Sequence, residues 1–300
     1  MSQAWLNQRE RGSIFAIRLI VGIALLLGRP VARFLLYPIC LYFLLSSAKP
    51  RAASRKYLSK VLSRAPRFAD LFGHYYAFAA VALDRVFLLK DRVELFDAQV
   101  HGEDHLKQAT ARGQGCFLLG AHLGSFEILR AFGASKNLQI GLVMYEDNVR
   151  MLNTAVKAIN PALADSIISL GRFDSMLKVY DRLHQSEWVG MLGDRALDAE
   201  AQMRVPFLGE HASFPTAPFR LAQMLKRPVV LMVGLYRGGN RYEMYFETLF
   251  DPDGVDRTNR EHRIAEAVRL YAQRLEHYCR EAPCNWFNFY DFWAESATPR

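Results

Sequence analysis

Histidine has an unperturbed pKa near neutrality, so a histidine leaving a buried strand beside a carboxylate is a candidate general base. His122 stands in such a place. It lies in Gly120-Ala121-His122-Leu123-Gly124-Ser125-Phe126-Glu127, directly after the apolar run Cys116-Phe117-Leu118-Leu119 and ahead of a helical apolar pattern. Glu127 follows five residues later, about one and a half helical turns on. With His122 at the helix start, the Glu127 carboxylate can fold back, hold the imidazole in one tautomer and stabilise the imidazolium. Such a pair needs no enzyme nucleophile, because the substrate hydroxyl or amine serves as one. The natural chemistry is acyl transfer from a thioester. A chance His and Glu at this spacing is the bland rival, and the strand exit and the small residues around His122 weigh against it.

The elements that must position these residues alternate along the chain. Helical apolar spacing covers 54–64 and 67–89, and a short helix is expected at Glu103–Ala111. Further strands are read at Ile140–Tyr145, Ser166–Leu170, Trp188–Leu192, Val229–Tyr236 and Tyr242–Leu249, and helices near 123–134, 148–159, 172–186, 216–226 and 258–280. That order describes an α/β fold with a central, partly parallel mixed sheet flanked by helices. In such sheets functional groups gather beyond the carboxyl ends of the strands. Asp194 and Arg195, after the strand beginning at Trp188, are therefore expected on the same face as His122, where Arg195 can hold a phosphate or headgroup. Arg172 and Lys178 are weaker candidates, for an acidic carrier protein or its phosphopantetheine. Backbone N–H groups near Gly120–Gly124, or a nearby arginine, can stabilise the oxyanion.

With 300 residues, 51% of them apolar and 23% charged, the chain can bury a full core, which excludes a disordered chain or a disulfide miniprotein. The net charge of +8 is not evenly spread. Residues 1–67 carry 12 of the 38 basic residues and one of the 30 acidic ones, which leaves the remainder slightly acidic. Nucleic acid is set aside on that ground, because the rest of the chain has no basic excess to follow a phosphate backbone. The basic region also contains the greasiest sequence, Ile14–Leu45. Anionic membrane lipid wants both features. Ile14–Leu27 would rise about 21 Å as a helix and Phe34–Leu45 about 18 Å, against roughly 30 Å of hydrocarbon. A helical hairpin in one leaflet, broken at Gly28-Arg29-Pro30 with its cations snorkelling to headgroups, is preferred over a single span. A cleaved leader is disfavoured by the lack of a prompt small-x-small site. The boundary falls at Lys49-Pro50-Arg51, giving membrane-associating helices over 1–50 and an α/β domain over 51–300. A chain starting near Arg51 is expected to be soluble without detergent.

The spacing His122-x4-Glu127 after an apolar strand resembles the HX4D/E motif of glycerolipid acyltransferases, and more closely the bacterial lipid A biosynthesis acyltransferases. The resemblance extends from about residue 97 to about residue 292. Val100-His101-Gly102-Glu103-Asp104-His105-Leu106 looks like the segment before the catalytic strand, and Gly193-Asp194-Arg195 resembles the second strand-end motif. Val205-Pro206-Phe207-Leu208-Gly209, Leu221-Ala222 and Pro228-Val229-Val230 look like the block leading into a helix and strand. Ser125-Phe126 stands where many relatives have Asn before an aromatic residue, which leaves Ser125 as a substrate-side candidate and the acceptor open. The aromatic tail Pro283–Trp293 resembles those of relatives in other lipid or pigment pathways. It either closes the sheet as a cap or lines an acyl groove.

The resemblance implies an acyltransferase of the bacterial inner membrane, working at the cytoplasmic face. Its donor would be an acyl carrier protein or coenzyme A thioester, and its acceptor a lipid or glycolipid. No cofactor is implied beyond the acyl thioester co-substrate. The rival of another class is a catalytically idle membrane-bound protein that kept the fold to carry lipid or organise a pathway.

Other chemistries fit less well. His101 and His105 with Glu103 and Asp104 lack the H-E-x-x-H order of a zinc helix, so no metal is expected. Ser125 lacks the G-x-S-x-G elbow. Gly238-Gly239 reads as a hairpin turn rather than a phosphate loop. The cysteines form no paired framework, which favours a reducing compartment.

Overall fold

Short apolar runs with no polar face must be covered on both sides, and this chain places them side by side. The computed structural model describes residues 14–111, 113–135, 140–145, 167–170, 174–195 and 201–294. Among these residues seven strands form one sheet, in the spatial order 97–101, 241–250, 229–236, 117–120, 188–192, 140–145 and 167–170. They are β1 (Asp97–His101), β2 (Phe117–Gly120), β3 (Ile140–Tyr145), β4 (Ile167–Leu170), β5 (Trp188–Leu192), β8 (Val229–Tyr236) and β9 (Arg241–Phe250). β2, β3, β4, β5 and β8 all run parallel, and the β8–β9 hairpin is the antiparallel step. Central β2 is buried along its whole length. The hairpin turn is Gly238-Gly239, whose φ of 88° and 58° is cheap for glycine, as the sequence predicts.

Flanking helices are α1 (Ile14–Ser46), α2 (Ala48–Val61), α3 (Phe68–Leu88), α4 (Glu103–Thr110), α5 (Phe126–Ser135), α6 (Ser175–His184), α7 (Ala217–Leu225) and α8 (Arg260–Glu281). The helix expected near 148–159 falls outside the described residues. Two elements differ from the sequence reading. Edge strand β1 is half-buried and alternating rather than apolar, so it gives no continuous run. The Val205–Gly209 block is a β-hairpin, β6 (Gln202–Phe207) with β7 (Glu210–Pro215), that packs against α8. Its two-residue turn, Leu208-Gly209, has positive φ at both positions.

The basic, greasy N-terminal segment is docked on the rest of the chain. Gly28 interrupts α1 at φ 82°, where the sequence places the break. Beyond it, Ala32, Leu36, Cys40 and Leu44 recur every fourth residue and are buried, with α1 packed on α3. The opposite face leaves Leu26, Leu27, Val31, Phe34, Tyr42 and Leu45 exposed. Arg29 and Arg33 do not snorkel as expected. Arg29 Nε donates to Asp84 Oδ1 at 2.7 Å and Arg33 Nη2 to Asp84 Oδ2 at 2.9 Å, because α3 offers a fully buried carboxylate there.

A second buried polar contact ties α2 and α3 to the tail. The Ser54 hydroxyl meets His74 Nδ1 at 2.7 Å, and His74 Nε2 lies 2.8 Å from the Trp286 carbonyl. The carbonyl can only accept, so Nε2 carries the proton and Nδ1 accepts from the serine. Burial pushes His74 down to about 4, against the small opposing effect of the Trp286 carbonyl. The unfolded chain therefore binds the extra proton first. Stability is complete above the ordinary histidine pKa near 6.5 and falls as pH drops from there through 4, by about 3 kcal/mol in all. Chemical denaturation at stepped pH should show this loss, and His74→Gln should flatten it; an unchanged slope in that variant would assign the loss to other groups.

Candidate active site

Parallel pairing of β2 with β5 builds the site. Gly120 is in register with Leu192, and each strand carries a polar side chain two residues beyond that pair, His122 and Asp194. Neighbouring parallel strands lie about 4.8 Å apart, so equivalent positions past their ends face each other. His122 Nδ1 lies 2.8 Å from Asp194 Oδ1, and the His122 backbone N–H donates to Oδ2 at 3.0 Å. The Trp286 indole N–H also donates to Oδ2, at 3.1 Å.

Asp194 is fully buried. Burial alone would raise its pKa, but His122, the nearby Arg195 and the backbone N–H outweigh it and hold the carboxyl at about 2. An ionised acceptor at Nδ1 requires the proton on that nitrogen and leaves the Nε2 lone pair available. The His122 side chain remains 31% exposed. Its pKa is lowered, first by burial and then by Arg195, against the raising effect of Asp194; Arg85 lowers it further. The imidazole is consequently neutral near pH 7, the state a base requires.

The loop after β2 is held by backbone contacts. Gly124 has φ 66°, and a Cβ there would lie 1.9 Å from the Gly234 carbonyl oxygen, so only glycine fits. Its N–H donates to the Asn285 carbonyl, and the Ser125 N–H donates to the Gly234 carbonyl. With the His122 N–H on Asp194, these three donors are engaged and are not open to an oxyanion. Ser125 is buried, and its hydroxyl accepts the Ile128 N–H at 3.2 Å as an N-cap of α5, so it shapes the loop instead of facing substrate.

Glu127 is not brought to the imidazole. It sits in the first turn of α5, and its carboxylate pairs with Arg85 of α3. The place opposite Nδ1 is filled by Asp194 from the next strand. Arg195 stands over the Tyr290 ring at 5.4 Å, with Nη2 3.4 Å from the Phe287 carbonyl. Arg172 lies outside the described residues, and Lys178 forms an exposed i,i+4 pair with Asp174. The other histidine candidates have ordinary partners: His101 stacks on Tyr245, and His105 Nδ1 lies 3.0 Å from the Thr248 hydroxyl.

Sequence reasoning missed Trp286. The tail braces the site: Trp286 is fully buried, the Phe287 N–H donates to the His122 carbonyl at 2.7 Å, and the Asn285 side chain bonds both backbone groups of Tyr236. The only signal was polar capacity, an amide and an indole N–H, inside an aromatic run.

The sequence profile described as "Bacterial lipid A biosynthesis acyltransferase" matches residues 70–294, which span both strand-end residues and the tail. No match was found among curated proteins.

Proposed function

Because the chain belongs to the bacterial lipid A biosynthesis acyltransferase family, we propose that it moves a fatty acyl group from an acyl thioester to a hydroxyl or amine of a lipid or glycolipid at a membrane. The observation that carries this reading is the His122 ring. It is fixed by a buried, ionised Asp194, and Nε2 has no hydrogen-bond partner among the described residues on a side chain that is 31% exposed. Nε2 takes the proton of the acceptor as its oxygen or nitrogen attacks the thioester carbonyl carbon. The tetrahedral oxyanion then collapses, the C–S bond breaks, and the imidazolium returns the proton to the departing thiolate. Asp194 carries no proton in this cycle; it orients the ring and stabilises its charged form. The geometry favours it over Glu127 for that role. Glu127 instead holds Arg85, and Arg85 and Arg195 both lie close enough to lower the pKa of His122. With three loop N–H groups already engaged, these guanidinium groups are the better oxyanion stabilisers.

The lipid side of the reading rests on α1. Its Ala24–Ser46 stretch is long and apolar enough to cross a bilayer, and much of it is exposed. A donor carried by a soluble acyl carrier protein would meet the enzyme on the cytoplasmic leaflet of the inner membrane. The test is thioester consumption by the purified full chain with a lipid acceptor. His122→Ala should lower turnover by about 10²–10⁴-fold while leaving the melting temperature near its parent value. Undiminished turnover would remove His122 from the chemistry.

A further inference from the structure

A hollow far along the chain from the catalytic loop lies where α1 gives way to α2. It is an open hollow of about 540 Å³, lined by Arg51, Ala52, Arg55, Lys56, Ser59 and Pro66 among others, with no acidic side chain among the described residues of its wall. Arg51 is fixed there: Nη1 donates to the Leu44 and Leu45 carbonyls at 2.7 and 2.8 Å, and its other guanidinium nitrogens have no hydrogen-bond partner among the described residues. Arg55 is exposed and has no ion pair among those residues. Lys56 is shared with Asp291 at 2.8 Å, so the hollow keeps a positive surplus. Ala48 in its wall opens α2, whose N-cap Ser47 makes no side-chain capping bond, adding the positive end of a helix dipole.

Position decides what this charge is for. The two carbonyls that hold Arg51 belong to the last turn of α1, and the exposed apolar face of α1 runs through Leu41, Tyr42 and Leu45 to that same turn. Cations just beyond the end of a lipid-facing stretch, with a tyrosine beside them, sit at headgroup depth. We propose that this hollow binds the phosphate of an anionic phospholipid from the surrounding leaflet, with the Arg51 and Arg55 guanidinium groups as its donors. The proposal rests on the membrane-associated reading of α1 and is independent of the chemistry at His122. An acidic protein is disfavoured as occupant because the exposed apolar face of α1 ends in the turn whose carbonyls hold Arg51.

The test uses the full chain in detergent micelles and native mass spectrometry with added dioleoyl phosphatidylglycerol or dioleoyl phosphatidylcholine. The parent should retain the phosphatidylglycerol preferentially. Arg55→Gln, and Ala52→Glu at an exposed position, should each lower that retention about fivefold or more, in line with the cost of one charge at a membrane surface. Neither should change the melting temperature or the thioester turnover measured in detergent. Equal retention of both lipids, or full retention by Ala52→Glu, would overturn the proposal. Displacement of the lipid by millimolar inorganic phosphate would also overturn it, in favour of a free anion. So would a variant that keeps its lipid but loses affinity for acidic acyl carrier protein. Loss of turnover in His122→Ala with lipid retention intact leaves this site standing, whereas intact phosphatidylglycerol retention beside turnover that does not depend on His122 would sink the acyltransferase reading alone.

Discussion

Asp194→Asn is expected to lower kcat/KM by about 10²–10⁴-fold with little change in KM, whereas Glu127→Gln should cost less than about tenfold. Asparagine can present its NH₂ group to Nδ1, which reverses the tautomer and places the proton on the nitrogen that must accept one. It also removes the charge that stabilises the imidazolium. Glu127 lies in a partly exposed pair with Arg85, and such pairs are worth about 1 kcal/mol or less. The pH profile separates the roles further. His122 is depressed below its ordinary value, so kcat/KM in the parent should rise with pH below about 6.5 and be level above it. In Asp194→Asn the raising influence is gone, and the acidic limb of the residual activity should move to lower pH. A Glu127→Gln variant as inactive as His122→Ala, beside a nearly unaffected Asp194→Asn, would restore Glu127 as the orienting group and defeat the geometric argument.

The difference between these two carboxylates also shows what a linear chain reveals. Local signals were enough for the strand ahead of His122, for β3, β5, β8 and β9, and for the Gly238-Gly239 turn, because each depends on residues within one run. Spacing also made Glu127 look like the partner, since five residues along a helix start is a local relation. Asp194 lies 72 positions away from His122, and the pairing follows only once β2 and β5 are known to be neighbours. The clue was present in both stretches, a polar residue two places past an apolar strand, yet strand order is not written in either. Edge strand β1 and the β6–β7 hairpin were missed for a different reason. β1 alternates between exposed and half-buried residues with no apolar run, and β6 carries Pro206, so neither reads as a core strand. The same limit hid the docking of α1, where two arginines in a greasy run find a carboxylate more than 50 residues away.

That docking carries the second large effect. A chain beginning near Arg51 was expected to be soluble, and the structure predicts instead that it folds poorly. Asp84 is fully buried and bonded to Arg29, to Arg33 and to the Tyr242 hydroxyl, which donates to Oδ2 at 2.8 Å. Removing residues 1–50 takes away both cations, leaves the carboxylate with one neutral donor, and uncovers the α3 face that α1 buries. Stranding a buried charge in this way costs about 3–5 kcal/mol, a large fraction of the stability of a typical domain. The same loss should appear in the full chain carrying Arg29→Met and Arg33→Met together, measured by urea denaturation in detergent. Adding Asp84→Asn to that pair should recover much of it, because an amide needs no counter-charge. Recovery is the discriminating result: lost packing along α1 would not respond to a change at Asp84, so a triple variant no more stable than the double would place the α1 contribution in apolar contact and not in the ion pairs.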